Sequence, residues 1–170
     1  MEEKEWDFCS DKIDVSPFLH LVYMKAIVNG NIKEQNSDNM IKEQVVSALS
    51  ALGFIPEEIE GFGYRFDYEG LTLIYSEDDE DAKCVTLGAP DVFDITDDNR
   101  TAVLEAMTKL CGKMKFVQPH IMFDNQVWLN YQHYTGDNEV TASLIEHMVR
   151  VLAFSTINFH KIINGDDNDN

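Results

Sequence analysis

The sequence lacks most of the short motifs that mark catalytic sites. Its 170 residues contain no glycine-rich phosphate loop and no Gly-x-Ser-x-Gly nucleophile turn. Carboxylates are abundant, but the sequence singles out no pair whose surroundings would give the two groups different pKa values, as an acid and a base in one active site require. The sequence therefore predicts a protein that is not an enzyme.

Metal-binding patterns are missing as well. The five histidines, at positions 20, 120, 133, 147 and 160, form no His-Glu-x-x-His motif and no cysteine–histidine knuckle. The acidic run 77–81 lacks the central glycine and the spaced oxygen ligands of a calcium loop. It is interpreted as a solvated loop, with a docking site for a basic segment as its second possible use. We expect no metal and no cofactor.

Cysteines are few, and segments that would direct the chain to a membrane or out of the cell are missing. Cys9, Cys84 and Cys111 show no close pairing, which favours reduced thiols in the cytoplasm, and the last two lie in apolar patterns typical of core residues. No signal peptide is recognisable, and the apolar run 15–28 is too short to span a membrane. The chain is predicted to be cytoplasmic.

The charge balance narrows the class of partner. Thirteen lysines and arginines stand against 31 aspartates and glutamates, which gives a net charge of −18. Such a field repels phosphate backbones and anionic membrane surfaces, so nucleic-acid and membrane binding are not expected. The same field favours a basic partner, or it serves only to keep the protein in solution.

Enough apolar residues are present to build a core: 44% of the chain is hydrophobic and 11% is aromatic. Residues 1–37 are interpreted as an N-terminal extension with one apolar helix from Pro17 to about Asn29. A second helix is predicted from residue 38 or 39 to Leu52, with Gly53 ending it in the left-handed conformation.

The clearest strand pattern lies in residues 62–76. Aromatic side chains occupy every second position from Phe62 to Tyr68, which is the period of a half-buried strand. A two-residue turn at Glu69-Gly70 would fold this strand onto the next one. The turn predicts three cross-strand pairs on one face of the sheet: Tyr68 with Leu71, Phe66 with Leu73, and Tyr64 with Tyr75.

The remaining elements complete an α+β fold. A third strand begins at Cys84, is broken at residues 89–90 and resumes at 92–95; a helix follows to about Lys113. A second hairpin pairs residues 116–123 with 127–134, and Pro119 places its first strand at an edge. A last helix covers residues 139–162, before a disordered acidic tail at 164–170. We expect an antiparallel sheet of about five strands in the order α-β-β-β-α-β-β-α, with helices packed on it.

Four short segments carry a resemblance to a known family: Leu52-Gly53-Phe54, Tyr68-Glu69-Gly70-Leu71, Lys115-Phe116 and Val127-Trp128-Leu129. Together with the element order, they make residues 38–163 resemble the YbjN-like family, which shares the fold of type III secretion chaperones. The resemblance implies a sheet covered by helices on one side and no enzyme chemistry. Secretion chaperones of this shape are small acidic dimers that bind a stretch of another protein, and some YbjN-like proteins are described as regulators.

The last predicted strand offers a candidate binding face. By alternation, one face receives Trp128, Asn130, Gln132 and Tyr134, and the other receives Val127, Leu129, Tyr131 and His133. The first set mixes aromatic rings with amides, a composition suited to an interface, and Ile121 and Phe123 are predicted to join it from the paired strand. The partner-binding candidates are therefore Trp128, Tyr134, Ile121 and Phe123. The alternative is that Trp128 packs under the first helix.

These observations favour a non-enzymatic protein-binding module, chaperone-like or regulatory, that acts as a homodimer. It would bind a protein or peptide through the sheet or an exposed edge, and the charge favours a basic segment. The alternative is a small-molecule-binding protein or an enzyme with an aromatic pocket on the sheet. A deep pocket ringed by polar groups would favour the alternative, and a broad apolar groove or a large symmetric contact would favour the first hypothesis.

Overall fold

Three helices and six strands make up the part of the chain that the computed structural model describes, namely residues 38–77, 83–122, 125–136 and 138–166. The helices are α1 (Asp38–Ala51), α2 (Arg100–Lys113) and α3 (Ala142–Asn164). The strands are β1 (Glu57–Ile59), β2 (Gly63–Tyr68), β3 (Leu71–Ser76), β4 (Cys84–Asp94), β5 (Val117–Met122) and β6 (Gln126–Tyr134). The fold is α+β, as predicted. The expected helix at Pro17–Asn29 lies outside the described residues.

The strands form one antiparallel sheet in the order β1-β2-β3-β4-β6-β5. The prediction of about five strands missed β1. This strand has three residues and no alternation of its own, and it is held by pairing with β2, where Arg65 Nε donates to Glu57 Oε2 at 2.8 Å. The pairing is local, since Ile59 pairs with Gly63, but three residues are too few to show an alternating pattern.

The first hairpin has the predicted register. Tyr68 pairs with Leu71, Phe66 with Leu73, and Tyr64 with Tyr75. Glu69 and Gly70 both have positive φ, 50° and 83°, which is the backbone of the tight turn whose twist matches that of the strands. The predicted turn and the aromatic alternation therefore agree with the structure.

Strand β4 is longer than predicted. The expected break at residues 89–90 is a bulge within one strand, because the register with β6 shifts between Ala89 and Phe93. Asp91 lies in this bulge with φ 52°. A bulge changes the direction in which nearby side chains of its strand point, and Asp91 is one of these side chains. Pro119 lies in β5, which is an edge strand as predicted.

The helices cover one face of the sheet, and α3 contacts both α1 and α2. Thr141 caps α3 by accepting a hydrogen bond from the Leu144 amide at 3.2 Å, and Gly165, with φ 74°, ends it. Cys111, predicted to be in the core, is exposed. It follows the buried Leu110 by one position, which turns its side chain by about 100° away from the sheet. The core between the helices and the sheet includes Leu49, Leu73, Leu87, Leu129, Leu152 and Phe159.

Polar contacts tie α1 to the rest of the fold. Lys42 Nζ lies 2.9 Å from Glu77 Oε1 and 5.3 Å from the centre of the Tyr64 ring. The hydrogen bond to Glu77 raises the pKa of Lys42, so the ammonium is charged at neutral pH. Gln44 Oε1 accepts from the Val140 amide at 2.8 Å, which joins α1 to the segment before α3.

Candidate functional site

The two faces of β6 differ as the alternation predicts. Three of its residues, Val127, Leu129 and Tyr131, are buried against the helices. Five residues alternate onto the other face: Gln126, Trp128, Asn130, Gln132 and Tyr134. Together with the neighbours described below they form what we call the Trp128 face. Trp128 and Asn130 are half-buried, Gln132 is exposed, and Tyr134 is 67% exposed.

The Trp128 ring is held in place by the bulge in β4. Its Nε1 donates to Asp91 Oδ1 at 3.2 Å, and Asp91 adopts positive φ to present that oxygen. Nearby, Gln126 Nε2 donates to Asp94 Oδ1 at 3.1 Å. Two carboxylates thus border this end of the face, while strands β4, β5 and β6 contain no lysine or arginine. The local charge is negative and would attract a cation.

A glycine makes room for one of the amides. Gly88 pairs with Asn130, and a Cβ at position 88 would come within 2.7 Å of Asn130 Oδ1. The Asn130 side chain therefore lies across the backbone of β4. This arrangement lets the amide present its hydrogen-bonding groups between Trp128 and Tyr134, the two aromatic residues on this face of β6.

Thr86 is the buried polar residue of this face. It pairs with Gln132, is 4% exposed, and its Oγ1 makes no hydrogen bond in the described part of the chain. A buried hydroxyl without a partner costs about 1–3 kcal/mol. The group is therefore a place where a bound molecule could supply the missing hydrogen bond.

His120 lies across from Trp128 in the β5–β6 register and is half-buried. Burial disfavours the imidazolium and lowers the pKa of His120 from its ordinary value, so the ring is neutral at pH 7. A neutral imidazole can donate one hydrogen bond and accept another. Among the described residues, no group of three or more His, Cys, Asp or Glu side chains could hold a metal ion.

Of the predicted site residues, Trp128 and Tyr134 share a face as expected, six positions apart on β6. Ile121 does not join them: it pairs with Val127 and packs against the helix-covered core. A two-residue turn would have placed Ile121 opposite Trp128, but the strands end at Met122 and Gln126 with three residues between them. One extra turn residue reverses the faces. Phe123 lies outside the described residues.

The residues that the sequence reasoning missed are Thr86, Gly88, Asp91 and His120. Strand pairing brings Thr86, Gly88 and His120 to this face, and a bulge brings Asp91. The period-two pattern of β4 could have found Thr86 and Gly88, because Val85, Leu87 and Ala89 alternate with them. Asp91 carried no such signal, since the bulge that aims it is visible only in the register.

A shallow cleft of about 500 Å³ lies away from the sheet, between α1 and the segment before α3. Its lining includes Met40, Gln44, Val140 and Ala142, and Glu43 is its one ionisable residue. The alternative hypothesis required a pocket on the sheet, and this cleft does not provide one. Within the described residues, no helix combines the length and the apolar character needed to cross a bilayer.

The fold has a counterpart among solved structures. The chain is similar to the crystal structure of YbjN from E. coli, a candidate transcription regulator, with a TM-score of 0.51 and 12% sequence identity. The match covers 71% of this chain and 87% of that one. It shows a YbjN-like fold, in agreement with the resemblance noted in the sequence. No family model and no curated protein matches the sequence.

Proposed function

We propose that this chain is a non-enzymatic protein-binding module, chaperone-like or regulatory, that acts as a dimer. The observation that carries the proposal is the Trp128 face, where a fixed indole, two amides and an exposed tyrosine lie along one strand. Tryptophan and tyrosine dominate the binding energy of many protein interfaces, because they bury large areas at low entropic cost. The YbjN-like fold supports a binding or regulatory role.

The chemistry of the face favours a basic segment as the partner. Asp91 and Asp94 lie beside Trp128, and the three neighbouring strands supply no cation of their own. An arginine of the partner could stack on the Trp128 ring while its guanidinium bonds the Asp91 carboxylate. The net charge of −18 would also speed the approach of such a segment.

A small-molecule ligand is the second candidate, and Thr86 favours it. The unpartnered hydroxyl beside Gly88 could bond one polar group of a compact molecule lying against β4. In that case Thr86→Val would abolish binding of the molecule, whereas a peptide held by aromatic contacts would lose little. The two candidates therefore differ in their dependence on this one oxygen.

The peptide claim can be tested with a labelled arginine-rich peptide and a matched peptide in which glutamine replaces arginine. Fluorescence anisotropy should show binding of the first peptide, and Trp128→Ala should weaken it by roughly 2 kcal/mol or more. Phe154→Ala is the matched control, since Phe154 is 58% exposed but lies on α3, on the helical side. Equal affinity for both peptides, or no loss with Trp128→Ala, would discard the proposed site.

The dimer claim and the non-enzyme claim need separate measurements. A compact monomer of this length should have a radius of gyration of about 15–16 Å. Small-angle scattering with that radius and a monomer mass would contradict the dimer.

The non-enzyme claim is tested by a broad substrate screen. Turnover of any metabolite that is lost in Trp128→Ala and retained in Phe154→Ala would show that the protein is an enzyme and contradict the proposal.

A further inference from the structure

The charge of the chain is divided unevenly between its elements. Residues 100–115 and 142–164, which contain α2 and α3, carry six of the 13 lysines and arginines but only two of the 31 aspartates and glutamates. Their net charge is +4, while the other 131 residues carry −22. Two segments of net positive charge in a strongly acidic protein need an explanation beyond solubility, because solubility requires only net charge.

Of the seven large apolar side chains that are exposed in the described residues, three lie in these elements and a fourth directly follows residue 115. Phe154 is 58% exposed and Ile157 is 55% exposed, both on α3, while Leu104 on α2 is 42% exposed. Phe116, just after α2, is 57% exposed and stacks on Tyr131 at 5.7 Å. Large apolar side chains left exposed on helices that also carry the basic residues are typical of a binding surface rather than of a solvated helix.

On α3 these residues fall into one line, which we call the α3 stripe: His147, Arg150, Phe154, Ile157 and Lys161. The spacings of three, four, three and four positions keep all five on one side of the helix, and all five are exposed. The stripe is about 21 Å long at 1.5 Å per residue. It therefore presents two apolar side chains between two cations, over a length that matches about four turns of another helix.

The geometry points to an acidic amphipathic helix of a protein partner as the occupant of the α3 stripe. Apolar side chains of that helix, spaced three or four positions apart, would cover Phe154 and Ile157, and flanking carboxylates would pair with Arg150 and Lys161. Arg150 already bonds Glu146 at 2.7 Å, but this pair is exposed and lies within one helix. Exposed pairs of this kind contribute little to stability, so Arg150 can exchange partners.

A second copy of this chain fits the stripe poorly. In an antiparallel two-fold pairing centred between Phe154 and Ile157, Arg150 meets Lys161 of the other copy. In a parallel pairing, each cation meets its own equivalent. Either arrangement brings like charges together around the apolar contact, which disfavours the pairing.

An anionic membrane is also a poor occupant. A flat surface would meet the field of the whole chain, with its charge of −18, whereas a single helix meets mainly the stripe. The docking site is independent of the Trp128 face, because it lies on the helical side of the sheet and selects the opposite charge. The two proposals can therefore fail separately.

The test uses the full chain and a labelled designed helix of about 18 residues, with leucines three or four positions apart and glutamates flanking them. A matched helix carries lysine at every glutamate position. Fluorescence anisotropy should show binding of the glutamate helix only, and a roughly tenfold or larger loss for the double variant Phe154→Ser and Ile157→Ser. Arg150→Glu with Lys161→Glu should reverse the preference toward the lysine helix. Trp128→Ala should leave the affinity unchanged.

Several outcomes would overturn the proposal. One is equal affinity for the two helices, or none for either; another is binding that survives the serine variant. Stronger binding to phosphatidylglycerol vesicles than to the glutamate helix would assign the stripe to a membrane. A solution mass that falls in the serine variant would assign it to a second copy of the chain. Circular dichroism melts of each variant check that a lost signal is not lost folding.

Discussion

The two faces of the sheet are built from the same strands but differ in how their polar groups are satisfied. Beneath the helices, alternate residues of β4 and β6 such as Leu87 and Leu129 are fully buried and apolar. On the Trp128 face, the intervening positions hold an unpartnered hydroxyl at Thr86, a gap at Gly88 and an indole tied to Asp91. The first face has the composition of a core, while the second accepts energetic costs that a core avoids.

Along one strand, residues that contribute to stability therefore alternate with residues that are available for binding. Because successive side chains point to opposite faces, a substitution at one position should affect folding, and a substitution at the next should affect binding or nothing. The predictions below examine how sharp this separation is.

The largest contrast is expected in β2, between Phe66 and Arg65. Phe66 is 2% exposed and its ring lies 5.2 Å from that of Phe54, so Phe66→Ala should cost roughly 3–5 kcal/mol through lost burial and a cavity. Arg65 lies on the other face with its side chain 59% exposed, and Arg65→Ala should cost about 1 kcal/mol or less. Urea unfolding measures both, and similar losses would remove the distinction between the faces in this strand.

Two threonines of equal burial provide the next contrast. Thr86 and Thr135 are each 4% exposed, but only Thr135 has a partner, its hydroxyl donating to the Lys83 carbonyl at 2.8 Å. Thr135→Val should cost about 1 kcal/mol, because it deletes a hydrogen bond. Thr86→Val should be neutral or stabilising, because it removes a buried oxygen that nothing satisfies. A loss at Thr86 as large as that at Thr135 would show that water or another group already bonds Thr86.

The first hairpin could be predicted from the sequence because its information is local. The turn at Glu69-Gly70 and the aromatic alternation each fix the register, and they fix the same one. The second hairpin offered only the alternation, since its turn length is not marked by a specific residue pair. The face of Trp128 was therefore predictable, whereas the face of Ile121 was not.

The rest of the candidate site depends on contacts distant in sequence. Asp91 and Trp128 are 37 positions apart, and only the β4–β6 register with its bulge brings them together. The separation of charge between α2, α3 and the remainder was visible in the sequence, but its meaning required knowing which side of each helix is exposed.

Salt should reveal whether the acidic remainder or the basic helices dominate the electrostatics. The Debye length falls from about 30 Å at 0.01 M salt to about 8 Å at 0.15 M. If repulsion within the net charge of −18 dominates, the melting temperature should rise by a few degrees with sodium chloride over that range. A falling melting temperature would mean instead that attraction between the basic helices and the rest of the chain is the larger effect.

The smallest expected effect is a pH dependence from His120 on the Trp128 face. Burial lowers the pKa of His120 below its ordinary value of about 6.5, so at pH values just under 6.5 the unfolded chain binds this proton more readily than the folded chain. The free energy of unfolding should therefore rise with pH up to about 6.5, and the contribution of His120 should be lost as the pH falls toward the folded pKa.

The ring faces Trp128, whose indole is already bonded to Asp91. His120→Gln should flatten the dependence, measured by urea unfolding between about pH 7.5 and pH 5. A slope equal to that of the unsubstituted chain would show that burial does not disfavour the charged form of His120.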